Sequence, residues 1–269
     1  MATLTTRTGE VAYVQTGAGR PVVLLHATLH DRHDFDPIVE ALARRRRVVA
    51  VDWPGHGESK STDSVTGPSL ADALDDIVDA LNLEDIVLIG NSVGGMAAAR
   101  LAISRPELVR GLVLVNTGGF VPNTGFTAAF CRLMGTEAVT RRVMPRFVRA
   151  YMKAQTPSDE SIVARAVARA RTADGVRTAA SLWRSFATPE YDLRDRAHRI
   201  TAPTLIIWGD RDPTLSPRIG RATQQAIPGS ALHVLHTGHV VFSSDPTGFM
   251  RVVEPFLEGV DAQATTPSG

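Results

Sequence analysis

The stretch from Val87 to Ala98 constrains this chain more than any other. A short apolar run, Val87-Leu88-Ile89, leads into Gly90-Asn91-Ser92-Val93-Gly94, and the small residues Gly95 to Ala98 follow with a helical character. A strand that turns this abruptly into a helix holds the central serine in a strained backbone conformation. Glycine at 90 and 94 lets strand and helix approach without colliding β-carbons. The serine oxygen then stands clear of the sheet at the positive end of a helix. A Gly-x-Ser-x-Gly pattern alone is weak, because other tight strand-to-helix turns carry it. The residues downstream have to decide.

A serine hydroxyl is a poor nucleophile until a base takes its proton, and an imidazole base needs a carboxylate to fix its tautomer. Thr204 to Pro213 reads as a buried strand followed by a loop with Asp210 and Asp212. Leu232 to His239 reads as a strand followed by a histidine loop. Both loops leave the carboxyl end of a strand, where ligands bind in open α/β sheets. The order serine, aspartate, histidine points to Ser92 as nucleophile, His239 as base and Asp212 as orienting acid. Asp212 is preferred to Asp210 because it lies further into its loop. His233 and His236 read as strand residues; His26, His30, His33 and His56 precede the serine; His198 precedes the penultimate strand. The end of the strand after the serine, another position for the acid, carries the uncharged Asn116.

With these loops together, the chain resembles the α/β-hydrolase fold superfamily over nearly its whole length. The resemblance also covers His26-Ala27-Thr28 after the strand from Pro21 to Leu25, and Asp52-Trp53-Pro54-Gly55-His56-Gly57-Glu58-Ser59. It implies a mostly parallel eight-stranded sheet flanked by helices, with a helical cap inserted between strands 6 and 7. It implies an oxyanion hole made by the backbone amides of Thr28 and Val93. This chain departs from the usual His-Gly at the early loop, where it has His26-Ala27; a positive φ at Ala27 would distort that loop.

The implied chemistry is a cofactor-independent serine hydrolase acting on a carboxylic ester, lactone or thioester. Gly90-Asn91-Ser92 and Gly118-Gly119 also resemble hydrolases that cleave carbon–carbon bonds in ring-fission products. Gly238-His239-Val240-Val241-Phe242 lacks the tryptophan those enzymes carry soon after the histidine. Perhydrolase and lyase chemistry use the same triad, and a ligand receptor that retains the triad is a further alternative. Haloalkane dehalogenases and epoxide hydrolases of this fold place aspartate where this chain has Ser92.

From about Thr117 to Arg199 the strand signal stops and helical periodicity takes over, punctuated by Pro122, Gly135, Pro157, Gly175 and Pro189. The expected organisation is a core at 1–116 and 200–260, a cap at 117–199 and a flexible tail at 261–269. His26, His30, Asn91, Phe126, Phe130, Met134, Trp183 and Val240 are the candidate pocket residues, although the cap aromatics and methionines fit a plain cap core equally well. Val11 to Gln15 and Val22 to Leu25 read as antiparallel neighbours, and Ser69 with Asp72 as the capping box of a helix from Ser69 to Leu81.

Several features look functional and have simpler readings. His30-x-x-His33 with its neighbouring aspartates has no third spaced ligand, so no metal is expected. Arg44 to Arg47 reads as cations complementing a helix C-terminus. Arg142, Arg146 and Arg149 read as a solvated helix face. The chain has 269 residues and a formal net charge of +1, which draws it to neither nucleic acid nor membrane. Its one cysteine, Cys131, excludes an internal disulfide. The first residues lack a signal-peptide apolar region, and no run is long enough to span a bilayer. The expectation is a cytoplasmic protein with a small-molecule substrate, compatible with a homo-oligomer.

Overall fold

Every strand that runs through the middle of this chain is apolar on both faces, which only a sheet covered on both sides accommodates. The computed structural model describes residues 1–61 and 64–263. The strands are β1 (Ala2–Thr6), β2 (Gly9–Thr16), β3 (Pro21–Leu25), β4 (Arg47–Val51), β5 (Ile86–Asn91), β6 (Val109–Val115), β7 (Thr204–Gly209) and β8 (Ala231–Leu235). They form one eight-stranded sheet in the order β1-β2-β4-β3-β5-β6-β7-β8. β2 pairs antiparallel with β1 and β4, and all later pairings are parallel.

The helices are α1 (Asp36–Ala43), α2 (Gly67–Ala80), α3 (Val93–Ser104), α4 (Gly125–Met134), α5 (Glu137–Met152), α6 (Pro157–Arg169), α7 (Ala173–Ser185), α8 (Pro217–Ala226), α9 (Val241–Ser244) and α10 (Pro246–Gln263). Alternate strand residues feed two cores. Val23, Leu25, Leu88, Leu112, Leu114 and Ile206 pack toward α2 and α3. Val22, Leu24, Val87, Ile89, Val113 and Ile207 pack toward α1 and α10.

One strand expectation needs correction. β2 and β3 are not neighbours, because β4 lies between them. β3 is buried at every position and takes parallel partners on both sides, whereas β2 grows half-buried and then exposed along its second half and suits a place near the edge. β1, which the sequence reading passed over, closes that edge.

The cap of α2 is Thr66, not Ser69 with Asp72. Thr66 Oγ1 accepts from the Ser69 N–H at 3.1 Å and Ser69 Oγ accepts from the Thr66 N–H at 2.8 Å. Arg44 stands at the C-cap of α1, and the next two arginines of the run make ion pairs as well. Arg45 pairs with Glu258 at 2.6 Å, and the buried Arg46 reaches Glu254 and Asp261, each at 3.0 Å, tying β4 to α10. α10 continues to Gln263, so the first part of the expected tail is helical; the remainder, 264–269, lies outside the described residues. Among the described residues no helix is long and apolar enough to cross a membrane.

The parallel register brings the carboxyl ends of β3, β5, β6, β7 and β8 to one edge of the sheet: Leu25 stands beside Gly90, Gly90 beside Leu114, Val115 beside Ile207 and Gly209 beside Leu235. Every loop singled out for chemistry leaves the sheet there.

Candidate active site

Ser92 sits between β5 and α3 with φ 57° and ψ −116°, a conformation that a non-glycine residue holds only at a cost of about 1–3 kcal/mol. Its neighbours make the turn feasible. A Cβ on Gly90 would fall 2.5 Å from the Gly94 carbonyl oxygen, and one on Gly94 would fall 2.3 Å from that of Leu25. The Ser92 N–H donates to Val115 O at 3.1 Å, and Ser92 O accepts from Gly118 N–H at 2.9 Å. The backbone is thus pinned to the β6 end, and the hydroxyl faces a pocket.

His239 and Asp212 meet on the same edge. His239 Nδ1 lies 2.5 Å from Asp212 Oδ2, which also accepts from Asn116 Nδ2 at 2.8 Å. Asp212 Oδ1 accepts from Thr214 N at 2.8 Å, Thr214 Oγ1 at 2.6 Å and Leu215 N at 3.3 Å. Burial opposes ionisation of Asp212, but the His239 charge and the bonds from His239 and Thr214 outweigh it and hold the carboxyl below its usual value of 3.8. A depressed carboxylate contributes stability that is present above the ordinary value and is lost as pH falls through the native one. Asn116 turns out to be a structural partner here: its Oδ1 accepts from Gly209 N–H at 2.7 Å while its Nδ2 holds the carboxylate. Asp210 points elsewhere, pairing with the exposed His236 at 3.0 Å.

Thr28 lines the same pocket as Ser92 and His239. Among the described residues the backbone amides of Thr28 and Val93 donate to no backbone carbonyl. The positive φ in the early loop falls on Leu29, at 71°, so alanine at 27 introduces no left-handed strain. His26 does not face the pocket. Its Nδ1–H donates to Ala27 O at 2.7 Å, and its Nε2 accepts from Trp53 N–H at 3.0 Å, so both nitrogens are used by the neutral ring. Burial pushes its pKa down to about 3, with the Ala27 bond only partly opposing. The unfolded chain therefore binds a proton that the native ring refuses between pH 6.5 and about 3. The His26 contribution to stability is full above pH 6.5 and declines as pH falls toward 3. Urea titrations of the wild type and His26→Gln across that window are expected to show a shallower decline in the variant.

The pocket holds about 260 Å³ and is walled by Phe130, Met144, Phe147, Tyr151, Trp183, Phe186 and Tyr191, beside Ser92, Gly118 and His239. Of the candidate pocket residues, Phe130 and Trp183 line this cavity, edge-to-face at 5.7 Å. The other candidates do not. Phe126 is 83% exposed on the outer face of α4. Met134 and Val240 are buried in the core instead. Asn91 is turned inward, its Nδ2 donating to Val115 O at 3.0 Å and His239 O at 3.1 Å.

Residues 20–246 match the family model for the alpha/beta hydrolase fold. The chain belongs to this family. It is 32% identical to the 2-hydroxy-6-oxo-2,4-heptadienoate hydrolase of Pseudomonas putida, with 91% of each chain covered. It is 27% identical to a pimeloyl-[acyl-carrier protein] methyl ester esterase of Neisseria meningitidis, covering 90% of this chain and 95% of that one. Among solved structures, a thermophilic esterase from Thermogutta terrifontis superposes with a TM-score of 0.82 at 25% identity, over 96% of this chain and 98% of that one.

In this hydrolase the sequence reading missed one residue beside the histidine. Tyr151, near the end of α5, accepts from the His239 N–H at 3.0 Å through its carbonyl, and its ring stands edge-on to the imidazole at 5.1 Å. Its hydroxyl lies 2.9 Å from Nε2 of the buried His30, whose Nδ1 contacts Asp34. Arg165 of α6 closes the chain on Asp34 at 3.2 Å. His30 is therefore not a pocket-edge residue but the anchor of one, while His33 pairs with Asp36 at the surface. No local motif marks Tyr151, because its partners are distant in sequence. Tyr151→Phe leaves His30 Nε2 buried without a partner and is expected to cost about 1–3 kcal/mol in urea unfolding.

Proposed function

We propose that this alpha/beta hydrolase is a cofactor-independent serine hydrolase that cleaves a small neutral carboxylic ester or lactone through an acyl-enzyme. The observation that carries the reading is the strained Ser92 sharing one pocket wall with His239, whose Nδ1 is tied to the ionised Asp212. Ser92 Oγ attacks the carbonyl carbon as its proton passes to His239 Nε2. The amides of Thr28 and Val93 hold the oxyanion, an interaction of about 2.7–4 kcal/mol per donor in such sites. Collapse breaks the acyl–oxygen bond, and the leaving oxygen takes the proton from His239. Water then repeats the sequence on the acyl-enzyme and frees Ser92. Asp212 steadies the imidazolium in both halves.

The helices α4 to α7 act in this reading as the cap, 117–199, set on a core of 1–116 and 200–260. They supply the apolar walls around the acyl group. Apart from His239, among the described residues no histidine, lysine or arginine lines the pocket, while Asp192 does. An acyl group with a free carboxylate would be desolvated there without a cation, at a cost of several kcal/mol. This favours a neutral ester or lactone over the 2-hydroxy-6-oxo-dienoate class, which is anionic. Carbon–carbon cleavage remains the second reading, favoured by the identity to the Pseudomonas hydrolase. A thioester of a neutral acyl group fits the same pocket, and cytoplasmic location accompanies this reading.

The test is a burst assay with p-nitrophenyl butyrate, alongside a p-nitrophenyl ester whose acyl chain ends in a free carboxyl. A stoichiometric burst is expected with the neutral ester, and a kcat/KM at least about 10-fold lower with the charged one. Absence of acylation by either would overturn the reading; the reverse preference would transfer it to anionic substrates.

A further inference from the structure

Away from Ser92, a larger cavity of about 1060 Å³ opens between core residues of 55–61 and 64–65 and the cap helices α6 and α7. It shares no wall residue with the Ser92 pocket. Lys60, Arg165, Arg169 and Arg177 line it, against the carboxylates Asp31 and Asp174. Those carboxylates are already engaged. Arg165 lies 3.1 Å from Asp31 and 3.2 Å from Asp34, and Arg177 holds Asp174. Arg169 and Lys60 form no ion pair among the described residues. Arg169 Nε is buried there without a hydrogen-bond partner.

Arg169 as a whole is half-buried, but a guanidinium nitrogen held out of water without a partner is costly. Burial pulls the Arg169 pKa down, and the carboxylates of Asp31, Asp52 and Asp34 do not restore it. Two hydroxyls approach from opposite walls. A Cβ at Gly55, where φ is +74°, would fall 3.1 Å from Thr178 Oγ1 of the cap and 3.3 Å from Ser61 Oγ of the core. Glycine leaves that space open. Guanidinium, ammonium and hydroxyl donors thus line one cavity from both sides of the cap–core seam. A planar carboxylate offers two oxygens to such a set, whereas a tetrahedral oxyanion offers acceptors in several directions.

We propose that this cleft is a binding site for an oxyanion of the phosphate class, free or carried by a phosphorylated small molecule, with Arg169 as its main ligand. Lys60, Thr178 and Ser61 complete the seat. Because its donors come from both the cap and the core, an occupant ties the two together and stabilises the native state by mass action.

The experiment is thermal unfolding and titration calorimetry of the full chain with pyrophosphate, against sodium chloride at matched ionic strength. A saturable rise in Tm of about 2–4 °C is expected at ligand well above Kd. Arg169→Gln is expected to weaken binding at least about 10-fold, the loss of a charge-assisted bidentate contact. No saturable rise, or the same affinity in Arg169→Gln, overturns the proposal. If that variant does not unfold cooperatively, Lys60→Gln decides: the side chain is exposed, and about 3-fold weaker binding is expected from the lost charge. Unchanged affinity in that variant overturns the proposal. Glycerol phosphate binding more tightly than inorganic phosphate assigns the site to phosphate esters; the reverse assigns it to the free anion. Ser92→Ala is expected to bind pyrophosphate like the wild type, so the site stands or falls separately from the esterase reading.

Discussion

Replacing Ser92 by alanine is expected to lower kcat on p-nitrophenyl butyrate by on the order of 10⁴-fold or more and to abolish the burst. The fold should be untouched, because every contact that fixes the turn is made by backbone: the Ser92 N–H to Val115 O, and Ser92 O to Gly118 N–H. Alanine inherits the same φ of 57° and therefore the same strain. Glycine at this position does not, and Ser92→Gly is expected to be more stable than Ser92→Ala by about 1 kcal/mol, the relieved strain less the entropy of glycine. Urea midpoints of the two variants measure that difference. A burst that survives in Ser92→Ala would place the nucleophile elsewhere. Equal stabilities of the two variants would mean that the elbow stores no strain.

The parts of this site that could be read in the sequence are those whose signal is local. Ser92 announces itself through Gly90 and Gly94, both within two residues of it. Asp212 and His239 each follow an apolar strand, and the parallel register brings the ends of those strands to one edge. What escaped detection depends on partners far along the chain. Asn116 looked like a vacated acid position, yet it bridges Gly209 and Asp212, more than ninety residues away. Asn91, one residue from Ser92, looked like a pocket group; as the last residue of a buried strand it points inward and holds the His239 carbonyl. Phe126 and Phe130 share a helical spacing that names one face without saying which neighbour covers it, and only Phe130 meets Trp183. The error over β2 and β3 has the same origin. A short connection reads as a hairpin, but the doubly buried β3 takes β4 as its neighbour.

The second large effect is expected at Asp212, and the hydrogen-bond directions explain its size. Five donors converge on the carboxylate: Thr214 N, Thr214 Oγ1 and Leu215 N on Oδ1, and Asn116 Nδ2 and His239 Nδ1 on Oδ2. An amide has one accepting end. In Asp212→Asn the amide oxygen satisfies the Thr214 side, which offers the most donors, and the NH₂ turns toward Asn116 and His239. His239 Nδ1 must then accept, which puts the imidazole proton on Nε2, where it can no longer take a proton from Ser92. The wrong tautomer costs on the order of 10⁴-fold in kcat in sites of this kind, with little change in shape. Asp210→Asn is the matched control. Its partner His236 is exposed, such pairs contribute little, and kcat is expected to stay within about 2-fold. Steady-state kinetics on both variants separates the two carboxylates. A large loss in Asp210→Asn with none in Asp212→Asn would move the orienting acid to the neighbouring loop position. Comparable losses in both would point to the loop as a whole rather than to a tautomer lock at His239.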